Sequence, residues 1–136
     1  MSDIFILDNC VDDREFRNYV ATILEADGFK DIDIEDISLW DNNPDNDNNL
    51  TAKKGSVKYA IQTYLNKEID QKDVDKTVKY VKQQAVYDGI IVTNREVSDE
   101  IKRYAIIYNV EIWDRPTLVD LVYRYEIRKE SLREII

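Results

Sequence analysis

The second half of the chain alternates apolar runs with amphipathic stretches of helical period, and this order constrains the fold more than any other feature. The apolar run at 90–94 ("IIVTN") predicts a strand buried on both faces. A predicted helix precedes it at 71–87, and a second helix follows it from Ser98. A strand at 110–114 then leads into a helix that starts near Pro116. Because strands joined through helices cross over with a right hand and run parallel, this half predicts the parallel part of a sheet.

The first half of the chain predicts antiparallel strands beside one long helix. We predict a strand at 3–7 ("DIFIL") and a helix at 13–27. The alternating segment 30–40 changes phase part-way, which indicates a bulge or a tight turn between two short strands. Residues 41–49 hold no apolar side chain and predict a loop, and a strand follows at 56–65. The two halves together predict an α/β fold, a three-layer sandwich with a mixed central sheet.

The composition favours one globular domain that spans residues 1–136, with 43% hydrophobic and 35% charged residues. Cys10 is the only cysteine and histidine is absent, which excludes an intrachain disulfide and a four-ligand Cys/His metal site. The N-terminus has no basic leader, and no run approaches the roughly 20 apolar residues that a membrane helix needs. We therefore expect a cytoplasmic protein without a membrane partner.

The net charge of −9 weighs against tight, sequence-blind binding of nucleic acid, which usually requires a basic surface. A local basic surface is still compatible with it, although a lysine series on a helix is typical of a solvated face. The series here consists of Lys72, Lys76, Lys79 and Lys82. Nine tyrosines could stack on bases, but most of them lie beside apolar stripes, which favours packing. We expect a protein partner or self-association, with nucleic acid as the less favoured partner.

A set of motif residues marks the stretch from 87 to 122. A buried strand ends in Val-Thr, a Ser-capped helix and an Asn-bearing turn follow, and a strand then ends in Asp before a Leu-rich helix. The residues are Val92, Thr93, Ser98, Glu100, Asn109, Asp114, Leu118 and Leu121. Upstream, "YAIQTYL" holds a Gln-x-Tyr element, and the helix "REFRNYVATILEADGF" ends in a Gly-aromatic pair. The pattern resembles that of the Mrr-like restriction endonuclease family, over residues 14 to 123.

The resemblance implies a restriction-endonuclease-like fold, in which two acidic groups hold a divalent metal and a lysine assists the attack of water on a phosphodiester. These groups suit the chemistry, because Mg²⁺ prefers hard oxygen ligands. In this sequence the family's Asp becomes Asn49, its Gln stays as Gln62, and its Lys becomes Tyr64. The family's glutamate should follow the first-helix aromatic, where Arg17 stands instead. Glu15 lies about 200° away around the helix.

These departures predict a catalytically degenerate member that acts as a binding or assembly module in a DNA-related or defence and mobile-element context, with no cofactor. A structural subunit of such a system is a closely related reading. The alternative is a metal-dependent endonuclease that hydrolyses DNA with Mg²⁺ and relocated groups. The candidates for relocation are Glu15, Asp45, Asp47, Lys58, Lys79 and Lys82.

The loop at 41–49 could also bind calcium, since Asp41, Asp45 and Asp47 supply spaced carboxylate oxygens along it. It lacks the glycine at the sixth position and the terminal bidentate glutamate of an EF-hand loop. A solvated polar loop is therefore the favoured interpretation.

Overall fold

The computed structural model describes residues 9–10, 12–34 and 48–135, with side chains as far as residue 130. The strand predicted at 3–7, the phase change after Ile34 and the aspartates at 41–47 lie outside the described residues.

Four helices are described, and their starts follow the capping residues in the sequence. They are α1 (Asp13–Ala26), α2 (Gln71–Gln83), α3 (Asp99–Ile107) and α4 (Arg115–Ile135). The side chains of Asp12, Asp70 and Ser98 each accept a hydrogen bond from a backbone N–H in the first turn of α1, α2 and α3. The residues after Pro116 continue as one helix, and no described helix is long and apolar enough to cross a membrane.

Five strands form one mixed sheet in the order β1-β2-β3-β4-β5. They are β1 (Lys30–Ile34), β2 (Asn49–Lys54), β3 (Val57–Tyr64), β4 (Asp88–Thr93) and β5 (Val110–Trp113). The first three strands pair antiparallel, whereas β3, β4 and β5 pair parallel through the crossover helices α2 and α3. The predicted mixed sheet is confirmed.

The helices cover both faces of the sheet and give three layers. Helices α1 and α4 pack on one face, where the core contains residues such as Phe16, Leu50, Ile61 and Leu118. Helices α2 and α3 pack on the other face, where Ile91 of β4 lies among apolar side chains of both helices. Because β4 buries both of its faces, its sequence is apolar without alternation.

The structure differs from the sequence prediction at the end of α2. The helix stops at Gln83, four residues before the predicted end, and Ala85 adopts a positive φ of 55° and is exposed. Ala85 follows Val74, Val78 and Val81 at helical spacing and would continue their apolar stripe in a longer helix. A left-handed residue just after a helix terminates it, and the chain then turns directly into β4.

Gly89 of β4 lies where α2 comes closest to the sheet. A Cβ atom at this position would lie 2.8 Å from Val81 Cγ2 and 3.3 Å from Thr77 Cγ2. Contacts of that length are repulsive, so the absence of a side chain allows α2 to seat on β3 and β4.

We expect Gly89→Ala to lower the free energy of unfolding by about 1–3 kcal/mol, because the added methyl overpacks the interface with α2. Urea denaturation measures this loss as a lower midpoint with an unchanged slope. Combining it with Val81→Ala removes the clashing methyl, so the double variant should lose less than the sum of the two single losses. Strict additivity, or no loss for Gly89→Ala, would contradict the proposed contact.

Candidate functional site

The motif positions of β2 and β3 meet at the end of the hairpin far from its turn. Asn49 is the direct cross-strand partner of Gln62, and Tyr64 follows Gln62 on the same face. Gly55, with a φ of +62°, occupies the two-residue turn that fixes this register. The register therefore places the three motif side chains next to one another.

The three side chains form a buried hydrogen-bond network together with Thr77 of α2, and we call these four residues the amide network. Gln62 Nε2 donates to Asn49 Oδ1 at 2.9 Å. Thr77 Oγ1 donates to Gln62 Oε1 at 2.6 Å, and the Tyr64 hydroxyl donates to the same oxygen at 3.2 Å. The amide of Gln62 is thereby satisfied at both ends, and every member of the network is electrically neutral.

Burial keeps the phenol of Tyr64 in its neutral form. Desolvation raises the pKa of Tyr64 well above its ordinary value, and the nearby negative charge of Asp73 raises this pKa further. The Lys67 ammonium lies 5.7 Å from the ring centroid of Tyr64. Tyr64 therefore acts as a hydrogen-bond donor here and carries no charge at neutral pH.

Two charged groups close to Tyr64, Lys67 and Asp73, are paired with each other. Lys67 Nζ lies 2.5 Å from Asp73 Oδ2, and the backbone N–H of Asp70 donates to the same oxygen at 3.0 Å. The backbone N–H of Asp73 donates in return to Asp70 Oδ1 at 3.1 Å, which completes a capping box at the start of α2. Asp73 thus stabilises the start of α2 and is paired with a cation.

Comparison with known protein families identifies the family of the chain. A family model described as restriction endonuclease (Mrr_cat) matches residues 9–122, most of the chain. The chain belongs to this family. No curated protein and no solved structure matches the chain significantly. The match confirms the resemblance seen in the sequence, and the mixed sheet flanked by helices is consistent with the restriction-endonuclease-like fold.

Contacts between the loops after β3, β4 and β5 lie at the same end of the sheet, and they include the motif residue Asp114. Asn94 and Asn66 exchange two hydrogen bonds of 2.8 Å, one from a backbone N–H and one between the side-chain amides. Asp114 accepts from the backbone N–H of Val97 at 3.3 Å and pairs with Lys102 Nζ at 2.8 Å. These contacts fasten the loops after β3, β4 and β5 to one another.

The predicted relocated groups that lie within the described residues do not join the amide network. Glu15 is exposed in the first turn of α1, while Arg17 is buried on that helix. Lys58 is exposed, and it lies four residues before Gln62 on β3, a separation of about 13 Å along the strand. Lys79 and Lys82 are exposed on α2. Asp45 and Asp47 lie outside the described residues.

The sequence analysis missed Thr77, Asp73 and Lys67. A signal for Thr77 was present, because this polar residue falls on the helix face between Val74 and Val81, which the apolar stripe predicts to be buried. Asp73 could have been recognised as the third residue after a capping Asp. Nothing in the local pattern indicates Lys67, which precedes α2 in an irregular segment.

The described side chains of the amide network do not fit the divalent cation that the family implies. The amide oxygens of Asn49 and Gln62 already accept hydrogen bonds, and neither carries a charge. Asn48 Oδ1 is buried without a hydrogen-bond partner within the described ranges, but a single neutral oxygen is a weak ligand for Mg²⁺. Among residues 9–10, 12–34 and 48–135, no three acidic, cysteine or histidine side chains cluster to hold a metal. That Asn49 stands at the family's aspartate position stays a prediction from the sequence.

We expect Thr77→Val to lower the free energy of unfolding by about 1–2 kcal/mol, because it removes a buried donor from Gln62 Oε1 without changing the side-chain shape much. Chemical denaturation measures the loss. Thr22→Val is the matched control, since the Thr22 hydroxyl bonds only the backbone oxygen of Asn18 on the exposed side of α1. Equal effects of the two substitutions would show that the hydrogen bond to Gln62 contributes nothing.

The raised pKa of Tyr64 predicts a loss of stability in alkali. Below the unfolded pKa of about 10 the phenol is neutral in both states, whereas above it the unfolded chain releases a proton that the folded protein retains. Unfolding then becomes easier by up to about 1.4 kcal/mol for each pH unit above that value. Tyr64→Phe should have a shallower decline of stability between about pH 9 and 11 than the wild type.

Denaturation at several pH values tests this, with the exposed Tyr123 providing the matched control Tyr123→Phe. The control should decline as the wild type does. A Tyr64→Phe variant with the wild-type decline would refute the assignment.

Proposed function

We propose that this restriction endonuclease family member is catalytically degenerate and acts as a binding or assembly module. The observation that carries the proposal is the buried, neutral amide network at the motif positions of β2 and β3. Phosphodiester hydrolysis in this fold requires carboxylates to hold a metal and a lysine beside the developing charge. Two amides, a hydroxyl and a phenol supply neither.

The charges around the network support the same conclusion. Lys67 and Asp73, a cation and a carboxylate close to Tyr64, are paired at 2.5 Å. Releasing Asp73 to a metal would break the capping box of α2 and leave Lys67 without its partner. Both side chains therefore stabilise the folded chain.

The proposed module has one domain over residues 1–136 and works in the cytoplasm. Its charge of −9 favours a protein partner or a second copy of the chain over duplex DNA, since the long-range field repels phosphates. Nucleic acid contact is then restricted to a local surface.

Restoring the family's charged groups tests the proposal. We expect no detectable Mn²⁺ binding by the wild type in isothermal titration, and binding by the Asn49→Asp, Tyr64→Lys double variant, because Asn49→Asp supplies a charged oxygen ligand while Tyr64→Lys returns the cation that assists hydrolysis. The same proteins should be assayed for nicking of plasmid DNA with Mn²⁺, where the wild type should be inactive.

The matched control is Asn18→Asp with Tyr123→Lys, which makes the same two changes of residue type at exposed positions of α1 and α4. It should behave as the wild type. Tight Mn²⁺ binding with metal-dependent nicking by the wild type would overturn the proposal in favour of an endonuclease with relocated ligands.

A further inference from the structure

Three lysines stand directly opposite one another on three neighbouring strands. Lys30 of β1 is the cross-strand partner of Lys53 of β2, and Lys53 is the partner of Lys58 of β3. All three are exposed, and none forms an ion pair within the described ranges of the chain. Like charges in directly opposite positions repel and destabilise a sheet. Because this repulsion destabilises the sheet and the protein is acidic overall, we infer that the positive charge of the three lysines has a function.

A fourth lysine at this end of the hairpin, Lys54, does form an ion pair. Lys54 points to the other face of β2, where its Nζ lies 3.1 Å from Asp27 and 5.1 Å from the ring centroid of Phe29. The described carboxylates therefore neutralise the lysine on one face and leave the three on the other face uncompensated.

Two exposed tyrosines lie at the same end of the sheet as the row of lysines. Tyr87 immediately precedes β4, whose first residue Asp88 pairs with Tyr59, the neighbour of Lys58. Tyr108 caps the C-terminus of α3, two residues before Val110, which pairs with Gly89. Tyr87 is 87% exposed and Tyr108 is 47% exposed. We call these five residues the lysine–tyrosine row: Lys30, Lys53, Lys58, Tyr87 and Tyr108.

The ring of Tyr108 is held in place from below. It packs edge-on against Tyr104, with ring centroids 5.2 Å apart, and the Tyr104 hydroxyl donates to Asp75 of α2 at 2.6 Å. Ile106 and Ile107, which are 67% and 74% exposed, extend the apolar surface beside it. An aromatic ring fixed before binding loses little side-chain entropy when a ligand stacks on it.

We propose that the lysine–tyrosine row binds single-stranded nucleic acid, with the lysines on the phosphates and the tyrosines stacked on bases. The three lysines span two strand spacings, a width of about 10 Å. Surfaces that bind single strands without sequence preference combine a positively charged track with exposed aromatic rings. Both parts occur here at one end of the sheet.

The chemistry of the row favours a single strand over a duplex. Stacking on Tyr87 and Tyr108 requires bases whose faces are free, and paired bases inside a duplex have none to offer. The row also lies about 13 Å from Gln62 along β3, at the opposite end of the sheet from the amide network. The inference thus does not depend on whether the amide network is catalytically degenerate.

The overall charge of −9 does not prevent this contact. Charges in physiological salt are screened beyond a Debye length of about 8 Å, so the bound phosphates respond mainly to the nearest side chains. The net charge should instead lower the affinity at low salt relative to a basic protein with the same row.

Fluorescence anisotropy of the full chain with a labelled oligothymidylate of about 12 nucleotides tests the inference, in parallel with a duplex of the same length. We expect salt-sensitive binding of the single strand in the absence of metal, and at least about tenfold weaker binding of the duplex. Lys53→Gln with Lys58→Gln should weaken binding and reduce the slope of log affinity against log salt by about 1.4, since two phosphate contacts are lost.

Tyr87→Ala should weaken single-strand binding by about tenfold with an unchanged salt slope, because it removes stacking and no charge. Tyr123→Ala is its matched control, an exposed tyrosine on α4. Lys72→Gln with Lys76→Gln makes the same change of charge as the lysine pair, at exposed positions in the first half of α2, toward the opposite end of the sheet. Both controls should bind as the wild type does, and circular dichroism should show that all variants are folded.

Three outcomes would overturn the inference: no binding of the oligonucleotide at low salt, duplex binding as tight as single-strand binding and insensitive to Tyr87→Ala, or equal losses in the row variants and their controls. None of these outcomes bears on metal binding by the Asn49→Asp, Tyr64→Lys variant, so the two proposals fail separately.

Discussion

The buried amide of Gln62 connects the elements that define this end of the molecule. Its nitrogen bonds Asn49 of β2, and its oxygen accepts from Tyr64 of β3 and from Thr77 of α2. A buried amide that loses a partner is costly, so the hairpin register and the position of α2 are coupled through one side chain. The crossover to β4 depends in turn on α2, which contacts the sheet closely at Gly89.

Charge is distributed differently at the two ends of the sheet. At the end that carries the motif positions, the ion pairs Lys67–Asp73 and Lys102–Asp114 fasten loops and a helix start. At the opposite end, the lysines of β1, β2 and β3 stand in a row without ion pairs in the described part of the chain. In an active nuclease the uncompensated charge belongs at the motif, where it would hold a metal and phosphate. Here it lies about 13 Å away along β3.

The core of the fold does not depend on charged groups at the motif positions. Apolar residues of β4 and of the helix faces that pack on it are buried, including Ile90, Ile91, Val92 and Leu118. Asparagine is close in shape to aspartate, so an amide can replace a carboxylate in the sheet without repacking. The fold therefore indicates ancestry, and the chemistry has to be argued from the side chains at the site.

The sequence by itself determined the alternation of strands and helices from β3 onward, the helix starts near Asp13 and Ser98, the mixed sheet and the family, because these depend on local periodicity, capping and motif spacing. It did not predict β2, whose first residue Asn49 falls in the predicted loop. The sequence also identified Asn49, Gln62 and Tyr64 as motif positions, but it did not show that their side chains share hydrogen bonds. The tertiary structure alone decided that Thr77 closes the amide network and that lysines of three strands stand opposite one another. Such contacts depend on cross-strand register and on the seating of a helix, and residues distant in the chain fix both.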